Sequence, residues 1–283
     1  MQVTPHVYVM HIDDDSVYHP GGSNNYFVGD PREEMVLIDT GDQQREWTRS
    51  ILDYYAHLGR PKISAILLTH RHQDHIGGLD RIYDVVQAPV RCHPKLVQKL
   101  ASMVGQDAVV PLKPCEMVRT GGDVAVQALF TPGHEVDHVA FHLQADRVLF
   151  TGDCILGASS STVRDLASYM KSLQLLTQYQ HDTICPGHGP VVPPPRGAEL
   201  VRWYMQHREE REQQILEALA RGISGVKEIA RHIYPRNLRK GLREGAERNV
   251  TTHLEKLVQE GRVAQTPSHY VLQGHADVPP GLV

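Results

Sequence analysis

Three histidines and an aspartate, His70, His72, Asp74 and His75, stand within six consecutive positions of THRHQDHIGG (69–78), directly after the apolar run ISAILL. Neutral imidazole nitrogen and carboxylate oxygen are the donors that borderline divalent metals take, zinc above all. In extended chain, side chains two apart lie on the same side, so His70 and His72 can aim at one point. Asp74 and His75 can then turn towards a second. A solvated polar loop would tolerate these residue types but gives no reason for their order. Later segments supply more donors: His134 in TPGHEVDH, Asp153 in FTGDC and His188 in CPGHGP, each after a strand-like run and beside small residues. Seven donors exceed what one tetrahedral zinc takes and suit two cations that share a ligand. We divide them as His70, His72 and His134 on the first metal and Asp74, His75 and His188 on the second. Asp153 bridges, because a carboxylate has two oxygens and an imidazole cannot span two cations. Cations so placed lower the pKa of a bridging water, supply hydroxide at neutral pH and stabilise charge on an attacked carbonyl or phosphoryl oxygen. Asp74 can orient that water or receive its proton, which makes it the candidate catalytic residue. The expected reaction is hydrolysis with two zinc ions per chain, iron or manganese being the alternatives.

The elements that must carry these donors are short. YFVG, MVLIDTG, AILLTH, VRCH, VAVQALFTPG, VAFHL and RVLFTGD each read as a strand ending at a turn. QREWTRSILDYYAHLG and VRDLASYMKSLQLL carry helical spacing, so the first 190 residues form an α/β layout with strands feeding loops. The proline run PVVPPPRG (190–197) reads as a stiff connector, which divides the chain into a catalytic domain, 1–197, and a smaller domain, 198–283. In the second, three helical patterns and a hairpin (RVAQ and HYVL around TPS) follow the order of a winged helix-turn-helix, with Ser224 as an N-cap candidate.

The net charge of −4 excludes a protein whose whole surface coats nucleic acid, but residues 199–262 carry 13 Lys+Arg against 10 Asp+Glu. That is a local +3, with −7 elsewhere, and Arg236, Arg239, Lys240 and Arg243 are the candidate nucleic-acid contacts. The four cysteines have no CxxC spacing and fit a reducing compartment. No apolar run approaches the roughly 18 residues of a membrane span, and the N-terminus lacks a signal-peptide pattern. A cytoplasmic location is expected, with the mitochondrial matrix as the eukaryotic alternative. SSST (159–162) reads as a loop that lines the substrate entrance or caps the next helix, and Asn24 and Asn25 as turn formers or site contacts.

HRHQDH, His134, Asp153 and His188, in that order, resemble the metallo-β-lactamase superfamily over about residues 1–190. The resemblance implies an αββα sandwich with a dinuclear site at one edge and the same division of ligands. It also implies that Asp39 of LIDTG braces the HxHxDH loop from outside the ligand set. Asp153 stands where true β-lactamases have Cys or Ser, which turns the expectation away from β-lactam cleavage; a mononuclear iron dioxygenase keeps similar ligands. TGDCILGASSSTVRDLASYMKSL, PGHGPVV, HREEREQQIL and the winged-helix tail look like the β-lactamase-like protein 2 group over nearly the whole chain. That similarity implies a zinc-dependent endoribonuclease acting on single-stranded RNA. Related sequences with this tail include thioesterases that release polyketide products, so hydrolysis of a small acyl thioester or lactone is the competing expectation. A homodimer is compatible with either. A metal-sensing DNA-binding regulator is the non-enzymatic reading, and a complete set of seven donors argues against it.

Overall fold

The computed structural model describes residues 1–14, 21–235, 237–238, 240–266 and 269–273, with Lys240 described for its backbone alone. The chain divides into two compact units, Met1–Ser161 with Ser168–Tyr204, and Thr162–Ala167 with the chain from Met205 onward.

The first unit is built on two sheets. One contains β1 (Gln2–Thr4), β2 (Val7–Ile12), β3 (Ser23–Gly29), β4 (Glu34–Ile38), β5 (Lys62–Leu67), β6 (Val90–Cys92) and β7 (Val109–Pro111), side by side in that order. Its strands are antiparallel as far as β4 and parallel from β4 to β7. The other contains β8 (Met117–Thr120), β9 (Val124–Phe130), β10 (Val139–Leu143), β11 (Val148–Gly152) and β12 (Thr183–Pro186), antiparallel except for the β11–β12 pair. The run MVLI of β4 explains the layering. Alternate side chains point to opposite faces. Val36 and Ile38 enter the core between the sheets, with Tyr26, Val126, Phe141 and Phe150. Met35 and Leu37 enter a second core with Ile51 of α1 (Arg45–His57), Ile82 of α3 (Leu79–Val86) and Leu100 of α4 (Val97–Val104). A strand covered on both faces has no polar alternation, so it reads as a continuous apolar word. Between α1 and α3 the ligand loop contributes one short helical turn, α2 (Gln73–Ile76). The helix α5 (Leu166–Leu176) buries Tyr169, Leu173 and Leu176.

A single helix, α6 (Arg196–Ala220), starts inside the expected connector and runs through the end of the first unit at Tyr204. No glycine or proline follows Gly197 until Gly222, so nothing in the sequence stops it.

The second unit continues with α7 (Val226–Ile233), α8 (Lys240–Gln259) and the antiparallel ribbon β13 (Val263–Gln265) and β14 (Tyr270–Leu272). Val250, Leu254 and Leu257 share one face of α8 and pack with Ile215, Leu219, Ile229 and Val263. Helices followed by a ribbon make this the winged-helix domain. The N-cap of α7 is Gly225 and not Ser224; Ser224 instead gives its carbonyl to the Tyr270 N–H at 3.0 Å, tying the ribbon to the helix start. Among the described residues no helix is long and apolar enough to cross a membrane.

The core of this unit contains a pH-sensitive group. His253 is 1% exposed, with Nδ1 2.8 Å from Asn249 O. Burial, against the weaker effect of that hydrogen bond, lowers its pKa to about 4. The folded value lies below the unfolded one of about 6.5, so its contribution is complete above pH 6.5 and is lost as pH falls towards 4. In urea unfolding at pH 7 and pH 4.5, wild type is expected to lose roughly 2 kcal/mol more than His253→Gln. Equal losses would remove His253 from the account.

Candidate metal centre

Strand direction gathers the candidate donors. β4 and β5 are parallel, as are β11 and β12, and β9 runs with β11 because β10 opposes both. Asp39 follows β4, His70 follows β5, His134 follows β9, Asp153 follows β11 and His188 follows β12. These strand ends are joined across the two sheets. Ser23 pairs with His188, the Asn24 N–H reaches Gly187 O at 2.8 Å, and the Val139 N–H reaches Thr69 O at 2.7 Å. Asn24 also gives its side-chain amide to Pro186 O at 3.0 Å and Gly189 O at 2.8 Å, so it holds the His188 turn. A Cβ at Gly187 would lie 2.6 Å from Asp153 Oδ1 and 2.8 Å from His75 Cε1, which is why glycine precedes His188.

All seven candidate donors fall into two adjoining groups, His70, His72, His134 and Asp153, and Asp74, His75 and His188, with each group's donor atoms within 4.8 Å of one another. In the first, His72 Nδ1 is 3.3 Å from His134 Nε2, and Asp153 Oδ2 is 3.6 Å from His134 Nε2 and 3.9 Å from His70 Nε2. In the second, His188 Nε2 is 3.1 Å from Asp74 Oδ2 and 3.3 Å from His75 Nε2. Asp153 Oδ1 lies 3.3 Å from His188 Nε2 and 3.4 Å from His75 Nε2. The two oxygens of Asp153 thus face different groups.

Hydrogen bonds on the far side of each ring test whether a cation fits. His75 Nδ1 is 2.7 Å from Asp39 Oδ2, and a carboxylate only accepts, so a proton sits on Nδ1 and Nε2 faces inward. Thr69 donates its hydroxyl to Asp39 Oδ2 at 2.8 Å, which leaves Oγ1 to accept from His70 Nδ1 at 3.0 Å. Ser23 donates to Asp14 Oδ2 and accepts from His188 Nδ1 at 2.9 Å. Ser161 donates to the Asp153 carbonyl at 2.5 Å and accepts from His134 Nδ1 at 3.4 Å. Glu135 Oε1 accepts from His72 Nε2 at 2.8 Å. Five ring nitrogens therefore converge, and the buried Nε2 of His70 has no hydrogen-bond partner among the described residues. Converging ring nitrogens beside carboxylates, each ring anchored behind, suit a cation.

Against the effect of burial, Asp39 and Asp153 raise the pKa of His75 well above the ordinary histidine value, and Asp153 and Asp74 raise that of His188 to about 9, so a cation would displace the protons these two rings carry on their inward nitrogens. Burial alone would raise the pKa of Asp153, but the His188 and His75 rings hold it well below the carboxylate range. Asp74 is likewise held low by His75 and His188 against its burial, so both carboxylates are ionised at neutral pH. His70, fully buried with His75 beside it, is pushed well below the ordinary histidine value and stays neutral.

Three residues at the centre carry no signal of their own in the sequence. Glu135, Asp137 and His138 fill the remainder of HEVDH, and His138 Nε2 accepts the Asp153 N–H at 3.2 Å while Nδ1 meets Thr131 Oγ1 at 2.8 Å. Ser161 of the SSST loop supports His134 and Asp153 from behind. Asp39 braces Thr69 and His75, as the LIDTG resemblance implies. Arg236, Arg239 and the Lys240 side chain lie outside the described residues; Arg243 donates to Pro235 O at 3.2 Å.

With fold and donors in place, comparison with known proteins agrees on their class. Residues 18–188 match the metallo-β-lactamase superfamily and residues 226–270 the β-lactamase associated winged helix domain. The chain belongs to the metallo-β-lactamase superfamily, and its fold and donor groups are those of a metal-dependent hydrolase. Within the superfamily it is similar to the β-lactamase-like protein 2 homolog of Drosophila melanogaster, at 34% identity over 87% of this chain and 86% of that protein. It is also similar to the atrochrysone carboxyl ACP thioesterase of Passalora fulva, at 32% identity over 93% of this chain and 78% of that protein. A β-lactamase domain protein from Burkholderia ambifaria shares the fold, with a TM-score of 0.80, 19% identity, and coverage of 96% of this chain and 93% of that one.

Proposed function

We propose that the protein is a hydrolase that uses two zinc ions and cuts single-stranded RNA. The observation that carries the hydrolytic reading is the division of Asp153 between two donor groups, Oδ2 towards His70 and His134 and Oδ1 towards His75 and His188. His70, His72 and His134 would hold the first ion and Asp74, His75 and His188 the second, with Asp153 shared. When bound, such a pair brings the pKa of a shared water into the neutral range and draws charge from the attacked oxygen. The remaining work belongs to the chain. Asp74, ionised by its neighbours, can orient the attacking water and take its proton. Asp39, Thr69, Ser23, Ser161 and Glu135 keep the five imidazoles aimed, each with one ring nitrogen directed inward. For RNA, support comes from the local +3 of residues 199–262, where phosphate contacts need only a basic patch, together with what the resemblance of the motifs to the β-lactamase-like protein 2 group implies.

A second substrate reading, an acyl thioester, is favoured by the relatives named as thioesterases, one of which aligns with 93% of this chain. Both readings use the same donors and differ in what the tail is for. One zinc-loaded preparation assayed against unstructured RNA and a panel of acyl thioesters separates them. RNA cleavage is expected, with binding that weakens steeply with salt and on charge reversal at Arg239 and Lys240. Thioester turnover that ignores those reversals, with no RNA bound at low salt, would replace RNA by the thioester.

A further inference from the structure

We infer that Glu135 is a positioning residue that fixes His72 as its Nε2–H tautomer and so turns Nδ1 towards the first donor group. The inference rests on the metal reading above and concerns one ring of the five. His70, His75, His134 and His188 present Nε2 to the centre. His72 presents Nδ1, which lies 3.3 Å from His134 Nε2. A ring used this way round has its other nitrogen directed outward, where only an acceptor leaves the inward lone pair bare. Glu135 Oε1 is that acceptor at 2.8 Å, and its carboxylate has no hydrogen to give.

The need for a fixed partner is greatest at this ring. The His72 side chain is 33% exposed, whereas those of His70, His75, His134 and His188 are at most 6% exposed and are held by packing as well. Glu135 itself is 2% exposed, and a buried carboxylate requires charge compensation. Arg71 supplies it, with Nε 3.9 Å from Glu135 Oε2 and 2.5 Å from Asp137 Oδ2. Two neighbours on the first ligand loop, Arg71 and His72, thus pair with two residues of HEVDH, the turn that also carries His134. The loop after β5 and the loop after β9 belong to different sheets, and these two contacts join them beside the Val139–Thr69 backbone hydrogen bond.

The test compares Glu135→Leu, which removes the acceptor, with Glu135→Gln, whose amide oxygen can replace it. Zinc affinities are read by competition with a chromophoric chelator, and the His72 tautomer by long-range ¹H–¹⁵N correlation on histidine-labelled, zinc-loaded protein. In Glu135→Leu one ion is expected to weaken about 10- to 100-fold while the other changes little. Glu135→Gln should recover most of the affinity and keep the Nε2–H tautomer. Wild type that takes up no zinc would defeat the metal reading itself. Wild type that binds two ions, with a leucine variant binding both as tightly and an unaltered tautomer, would defeat the role of Glu135 alone. Should the leucine variant not fold, the glutamine variant decides: full affinity with His72 in its Nδ1–H form overturns the inference.

Discussion

Asp153→Ala is expected to lower kcat/KM on the true substrate by more than about 10³-fold, beyond the usual cost of losing one oxyanion donor. It should also reduce bound metal below two per chain. The size follows from the position of one side chain. Asp153 Oδ2 lies 3.6 Å and 3.9 Å from two rings of the first donor group, and Oδ1 lies 3.3 Å and 3.4 Å from two rings of the second. An alanine there removes a donor from both groups and the negative charge that both face. The surrounding imidazoles keep their own hydrogen bonds, so the loss is of shared ligation and not of fold. Asp153→Asn keeps the shape and one strong acceptor, and should fall between wild type and alanine in both activity and metal content. Elemental analysis beside steady-state kinetics checks both. An alanine variant that retains two metals and a rate within tenfold of wild type would end the bridging assignment.

Stripping the metal is the second large effect. The donors come from loops after β5, β9, β11 and β12, on both sheets, so an ion binds the folded first unit far better than the unfolded chain. At free zinc about a thousandfold above Kd, linkage predicts roughly 4 kcal/mol of added stability. For a domain of this size that corresponds to a Tm higher by about 8–16 °C. Calorimetry of the chelator-stripped and zinc-loaded protein should show this shift, with hydrolysis absent in the first and restored on titrating zinc back. Undiminished hydrolysis after exhaustive chelation, or coincident melting curves, would contradict a metal at these residues.

The parts legible in the sequence were those where one face or one chemistry dominates. MVLI and RVLFTGD read as strands because both faces are covered, and the seven donors read as a set because their four segments each follow such a run. β2 is less legible because VYVMHI mixes exposed His11 and half-buried Tyr8 with buried Val7, Val9 and Met10, giving no uniform apolar run. The prolines at 190–197 mark a domain end in the sequence, but α6 begins inside that run and continues past it. Residues that anchor the rings were the least visible. Glu135, Ser23, Thr69 and Ser161 are ordinary polar residues whose role appears only when distant strands bring them behind a histidine. Asp39 was the exception, because LIDTG carries a recognisable pattern.

Asp39 also has a wider consequence. Its backbone N–H bonds Leu67 O at 2.9 Å, and its carboxylate holds both the Thr69 N–H and His75. Ile38 is paired with Leu67 just before it. A slip of one residue between β4 and β5 would displace His70 by about 3.3 Å and reverse the face of every side chain on the strand. The apolar run around it, buried on both faces, would discriminate poorly against such a slip, since leucine and isoleucine suit either side. The donor cluster discriminates sharply. Cation uptake would therefore proofread strand registry: only correctly paired chains would bind the ion tightly, and mispaired ones would be left without its stabilisation.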